Sequence, residues 1–155
     1  MKVNTFEKEF DGSGLKIAIV RARFNKDVTD RMLDGCVKTL KESGVHDDDL
    51  QVFEVPGAFE ISFIANELAK KGGLDAIITI GCIQKGETPH DIYIAESVIP
   101  SLTKLSLDYS VPVILGIITP LTREQAEVRS TGENNKGLEA AKAALEIIQV
   151  RNKIT

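Results

Sequence analysis

Four short, β-branched segments alternate with amphipathic helical stretches along this 155-residue chain, and two of those segments read as strands buried on both faces. This pattern predicts an α/β protein, a three-layer α/β/α sandwich around a four-stranded parallel sheet. A third observation agrees: every unusual residue cluster falls just after a strand, where open parallel sheets bind ligands.

Leu15 to Val20 is the first expected strand, and it runs into Arg21-Ala22-Arg23-Phe24-Asn25. A Phe between Arg and Asn at a strand end either tucks under the next helix or stacks on a ligand. Asp27 to Ser43 carries Val28, Met32, Leu33, Cys36, Val37 and Leu40 at helical spacing, with Gly44 as the stop. Cys36 falls on the apolar face and reads as packing. His46 stands in an acidic loop with no second ligand cluster, so a solvated loop is favoured over a metal site.

Leu50 to Val55 is the second strand. Pro56-Gly57 turns the chain sharply into a helix through Ala69, opening with Ala58, Phe59 and Glu60. Glu60 either complements the helix dipole or accepts from ligand hydroxyls and amines. Asp75 to Ile80 is the third strand. Gly81 to His90 then forms a strand-to-helix loop, with Thr88 as cap, Pro89 at the first helical position and Asp91 three residues past the cap. Free backbone N–H groups there favour an anion, and His90, one of two histidines, stands beside them.

The helix from Pro89 to Leu107 leads to the fourth strand, Val111 to Ile118. Thr122 caps a short helix from Arg123 to Arg129, the stretch from Gly132 to Gly137 breaks it, and a last amphipathic helix carries Leu138, Ala141, Leu145 and Ile148. The alternation is that of a flavodoxin-like sheet. Residues 1–14 read as an N-terminal arm, with Val3 to Phe6 as a short edge strand that a neighbouring subunit could pair. No linker or repeat divides the chain, so 1–155 is expected to be one domain.

The net charge of −4 and the absence of a dense Lys/Arg run argue against a nucleic-acid surface. No apolar run approaches the roughly 20 residues of a bilayer span, and no signal pattern opens the chain. Cys36 and Cys82 form neither a Cys-x-x-Cys pair nor a disulfide framework, which makes a reduced, cytoplasmic setting the expectation.

Four motifs stand in order: Arg23-Phe24-Asn25, Val55-Pro56-Gly57-Ala58-Phe59-Glu60-Ile61, Gly86-Glu87-Thr88-x-His90, and Arg129 ahead of Asn135-Lys136-Gly137. In order and separation, from about Leu15 to Ile148, they resemble the 6,7-dimethyl-8-ribityllumazine synthase family. The resemblance implies condensation of 5-amino-6-(D-ribitylamino)uracil with L-3,4-dihydroxy-2-butanone 4-phosphate, the penultimate step of riboflavin biosynthesis. Phosphate and water leave, and neither a metal nor an organic cofactor is used. It also implies a homo-oligomer built on pentamers, with sites at subunit interfaces.

Carried over by position, Phe24 would stack on the pyrimidine, Ala58 and Phe59 would offer backbone groups, and Glu60 would bind ribityl hydroxyls. Cys82, Ile83 and Gln84 would lie along the pyrimidine edge. Leu115 would form the wall of the neighbouring site. Glu87 and Thr88 would hold phosphate through backbone N–H groups, Arg129 would clamp it, and Lys136 would assist. His90 would carry protons.

The chain departs from the family at Asp91-Ile92, where an aromatic and then an acidic residue are usual, and at Leu115, where many members carry Phe. The segment from Arg129 to Lys136 is one residue shorter than in many shell-forming members. Among rivals, a non-catalytic flavin- or lumazine-binding protein would need Phe24 and Glu60 but not His90, Arg129 and Lys136. A phosphorelay receiver would need an acidic cluster after the first strand, where Arg21 and Arg23 stand. A flavodoxin-type carrier would need a Ser/Thr-rich loop in place of Arg23-Phe24-Asn25-Lys26.

Overall fold

A computed structural model of the chain describes residues 1–4 and 10–155. Part of the expected N-terminal edge strand, Val3 to Phe6, lies outside the described residues. The elements run β1 (Ile17–Ala22), α1 (Lys26–Glu42), β2 (Leu50–Val55), α2 (Ala58–Lys71), β3 (Ala76–Cys82), α3 (His90–Tyr109), β4 (Val113–Ile118), α4 (Arg123–Arg129) and α5 (Lys136–Asn152).

All strand pairs are parallel, in the order β2-β1-β3-β4. Ile19 pairs with Val52 on one side and Ile78 on the other, and Ile78 pairs with Ile114. This is the flavodoxin-like order without its last strand. β1 and β3 are central and buried along their whole length, as their mainly apolar sequences, broken only by Arg21 and Thr79, require. β2 and β4 are edges and carry exposed positions.

Alternation along the strands divides the core into two clusters. Ile17, Ile19, Ile78 and Ile80 face α1 and α5, meeting Met32, Cys36, Leu40, Ala141, Leu145 and Ile148. Ala18, Val20, Ala22 and Ile77 face α2 and α3, meeting Ile61, Ala65, Val98 and Leu102. α1 and α5 pack against each other at close range. A Cβ at Gly137 would lie 1.8 Å from the Met32 carbonyl oxygen, so only glycine fits this crossing.

Several boundaries differ from those the sequence suggests, and pairing explains the shifts that bear on the site. β1 continues past Val20 because Arg21 pairs with both Glu54 and Ile80 across the sheet. Its side chain is only 3% exposed. The guanidinium donates to Asp30 on α1 and to Glu54 on β2, the latter at 3.0 Å. β3 likewise extends through Gly81 and Cys82, which pair with Ile117 and Ile118. Those two residues therefore belong to the strand rather than to the loop. Thr88 does not cap α3. Pro89 holds that position (φ −75°, ψ 19°), and no side chain caps the helix. The Thr122 hydroxyl does cap α4, accepting from the Gln125 N–H at 3.2 Å.

Candidate functional site

The chain winds one way from β1 to β2 and the other way from β3 to β4. The crevice between the C-terminal ends of β1 and β3 is the switch point at which such sheets bind ligands. Asn25 fixes the β1 side of it. This residue takes the left-handed conformation (φ 57°, ψ 49°) at the start of α1. Its Nδ2 donates to the Cys82 carbonyl at 2.9 Å, tying the two loops together. Backbone bonds from Arg23 N–H to Val55 O (2.8 Å) and from Phe24 N–H to Pro56 O (3.0 Å) bring in the end of β2.

A cavity of about 560 Å³ opens there. Its wall includes nine of the residues singled out in the sequence: Phe24, Ala58, Phe59, Glu60, Cys82, Ile83, Gln84, Thr88 and His90. Pro56, Gly57, Gly86, Asp91 and Ile94 complete it. Phe24 is 71% exposed and Phe59 59%, so neither ring tucks under its helix. An aromatic face left open above a cavity suits stacking on a planar ligand.

Glu60 performs the dipole role as well as lining the cavity. Its Oε2 accepts from the Gly57 N–H at 3.0 Å, closing the first turn of α2. Cys82 is buried, and burial pushes its thiol up to about 11, with the Asn25 hydrogen bond opposing. The thiol is thus protonated at neutral pH and is no nucleophile. Cys36, fully buried in the core, is pushed up to about 12 by burial. Glu87 is exposed and forms part of neither this wall nor the next.

The remaining candidates lie elsewhere. Leu115, Arg129 and Lys136 line a second cavity of about 440 Å³ along the free edge of β4, with Thr119, Gln125 and Glu139. No residue belongs to both walls. Arg129 Nη1 donates to the Gln125 carbonyl at 3.3 Å, and Lys136 Nζ donates to Glu139 Oε2 at 2.7 Å. Two cations on one cavity wall make this corner a candidate for an anion. A single chain therefore divides the expected site residues between two cavities.

The corner is anchored by Glu127 on α4, which pairs with Arg123 and with Arg31 of α1, each at 2.7 Å. Its carboxyl lies below the usual carboxylate range, chiefly through the Arg123 hydrogen bond. A depressed carboxylate pKa stabilises the fold above the unfolded pKa, and this contribution disappears as pH falls through the folded value. The melting-temperature gap between parent and Glu127→Gln should therefore narrow as pH drops from neutral through the carboxylate range. A gap that stays constant would show that charge is not what Glu127 contributes.

With the geometry in place, comparison with known proteins adds the family. The family described as 6,7-dimethyl-8-ribityllumazine synthase matches residues 14–152. The chain belongs to the 6,7-dimethyl-8-ribityllumazine synthase family. Its relatives include a 6,7-dimethyl-8-ribityllumazine synthase of Pediococcus pentosaceus, 42% identical over 94% of each chain. Another, of Nitratidesulfovibrio vulgaris, is 40% identical over 99% of each chain. Among the described residues, no group of three or more His, Cys, Asp or Glu gathers as a metal site would need. None of the described helices is long and apolar enough to cross a membrane.

Sequence reasoning gave no site role to Asn25. A left-handed position favours Asn, which was the available signal for Asn25. Asp91, where the chain departs from the family pattern, forms part of the cavity wall.

Proposed function

We propose that this chain is a 6,7-dimethyl-8-ribityllumazine synthase, a transferase of riboflavin biosynthesis. It condenses 5-amino-6-(D-ribitylamino)uracil with L-3,4-dihydroxy-2-butanone 4-phosphate and releases phosphate and water, in the cytoplasm and without metal or organic cofactor. One observation carries this reading. In a member of this family, Phe24, Glu60 and His90 meet in one cavity at the switch point of the sheet.

In this reading the aminouracil ring lies on Phe24, with the edges of Cys82, Ile83 and Gln84 beside it and the ribityl chain towards Glu60 and the backbone of Ala58 and Phe59. The ring amine attacks the ketone carbonyl and forms a Schiff base with loss of water. Elimination expels phosphate, and the second amine closes the new ring with loss of a second water. Each step moves a proton, and His90 in the cavity wall takes and returns it. The N-terminus of α3, free of a side-chain cap next to Glu87 and Thr88, offers N–H groups to the phosphate. Arg129 and Lys136 supply the opposing positive charge.

The two halves come together when the β4-edge cavity of one copy faces the switch-point cavity of another. This supports a homo-oligomer with shared sites, built on pentamers as the resemblance implies. The exposed Phe24, Phe59, Phe63 and Leu115 are apolar surface that such contacts would cover.

The test mixes both substrates with purified protein and follows lumazine absorbance. Product above background is expected, and Arg129→Ala should lower kcat/KM roughly 10- to 100-fold, as removal of a charge-assisted phosphate contact does. Ligand bound without product would overturn the enzyme reading in favour of a non-catalytic binding protein.

A further inference from the structure

The corner bearing Arg129 and Lys136 is built around one side chain that touches neither cavity. Asn135 is 7% exposed and uses both ends of its amide. The carbonyl end, Oδ1, accepts from Gly137 N–H at 2.8 Å and Leu138 N–H at 3.4 Å, capping α5. The amino end, Nδ2, donates to the Ser130 carbonyl at 3.1 Å and to the Arg31 carbonyl on α1 at 2.9 Å. Ser130 directly follows Arg129, and Lys136 directly follows Asn135. The amide therefore staples the residue after one cation to the residue before the other, across the intervening loop of residues 131–134.

Arg31 reinforces the staple from the same turn of α1. Its Nε and Nη2 donate to Ser130 Oγ at 3.2 and 2.9 Å, and Nη2 also reaches Glu127 Oε2 at 2.7 Å. α1 thus holds both ends of the loop against the body of the fold. An N-cap needs only the acceptor end of the amide. The two donor bonds fix where α4 ends relative to where α5 begins, and so fix the two cations.

We propose that Asn135 is a positioning residue: through Nδ2 it sets the separation of Arg129 and Lys136, and thereby the affinity of the site for the phosphate of its substrate. This rests on the reading that these two cations bind that phosphate. Two charges aimed at one anion lose much of their joint effect when either drifts by about an ångström.

The experiment compares Asn135→Ser with parent. Serine keeps the cap acceptor but is too short to carry the donor to Arg31 and Ser130. The readouts are kcat, KM for each substrate, and inhibition by inorganic phosphate, on the full-length assembled protein. We expect KM for the phosphate substrate and Ki for inorganic phosphate to rise about tenfold, with KM for the aminouracil substrate within about twofold and kcat changed much less than either. A lower melting temperature or active fraction with unchanged KM and Ki would mean a structural role only and would overturn the proposal. If Asn135→Ser does not fold, Asn135→Thr keeps a cap acceptor without the amide donor or any change of charge and is read in the same way. Arg129→Ala and Lys136→Ala separate the two levels. Unchanged phosphate Ki in both would overturn the phosphate corner together with the proposal. Raised Ki in both, with parent-like Ki in the Asn135 variant, would overturn the proposal alone.

Discussion

Mixing His90→Ala chains with Arg129→Ala chains, unfolded and reassembled together, should restore turnover that neither variant has alone. In the proposed reading each variant damages a different half of a shared site. His90 lines the switch-point cavity and Arg129 the β4-edge cavity, and the two walls share no residue. Loss of a general acid–base costs roughly 10²- to 10⁴-fold, so His90→Ala alone should be close to inactive. In the proposed reading, a site in random co-assemblies at equal ratio takes each half from a different chain. Chance then joins two intact halves in about a quarter of sites, and activity should approach that share of the parent value. Separately reassembled variants, mixed afterwards, provide the background. Activity no higher than that background would place both halves of each site within one chain and remove the shared-site reading.

Gly137→Ala should be the most damaging single methyl in the α1–α5 layer. The added Cβ would lie 1.8 Å from the Met32 carbonyl oxygen and 2.5 Å from its carbon, both backbone atoms that no rotamer change can move aside. The helices must separate, and overpacking of this kind costs roughly 3 kcal/mol. For a chain of this size that corresponds to a melting-temperature fall of roughly 10 °C. Gly86→Ala is the control, since a Cβ there meets nothing within 4 Å. Similar melting curves for the two variants would mean that α1 and α5 are not clamped at this crossing.

What the sequence made legible was local. β2 (Leu50–Val55) agrees residue for residue, because a polar loop and Pro56 bound it on either side. The helical faces of Met32, Cys36 and Leu40, and of Ala141, Leu145 and Ile148, are in the core as their spacing predicts. Strand ends were harder. Arg21 reads as loop until the partners that neutralise it, Asp30 nine residues on and Glu54 thirty-three on, are seen beside it. Thr88 has the right chemistry for a cap, but the turn through Pro89 starts α3 one residue late for it.

The same holds for the site. Phe24, Glu60 and His90 were visible as unusual residues at strand ends, and the fold collects them in one cavity. That Leu115, Arg129 and Lys136 lie along a different edge is a property of strand order, which no local motif states. Asn135 was visible only as part of a motif. One of its four hydrogen bonds reaches Arg31 on α1, 104 positions away in the chain, and depends on tertiary contact; the other three are to Ser130, Gly137 and Leu138.

The state of the two thiols bears on how the protein withstands oxidants. The thiolate is the form that attacks peroxides and alkylating agents, and both sulfurs are held in the protonated form by burial. Cys82 is on the wall of the cavity, yet it offers that wall a carbonyl already engaged by Asn25 and a sulfur of low reactivity. A buried, protonated thiol in this position reacts slowly with such agents, which favours a site that stays in working order under oxidising conditions.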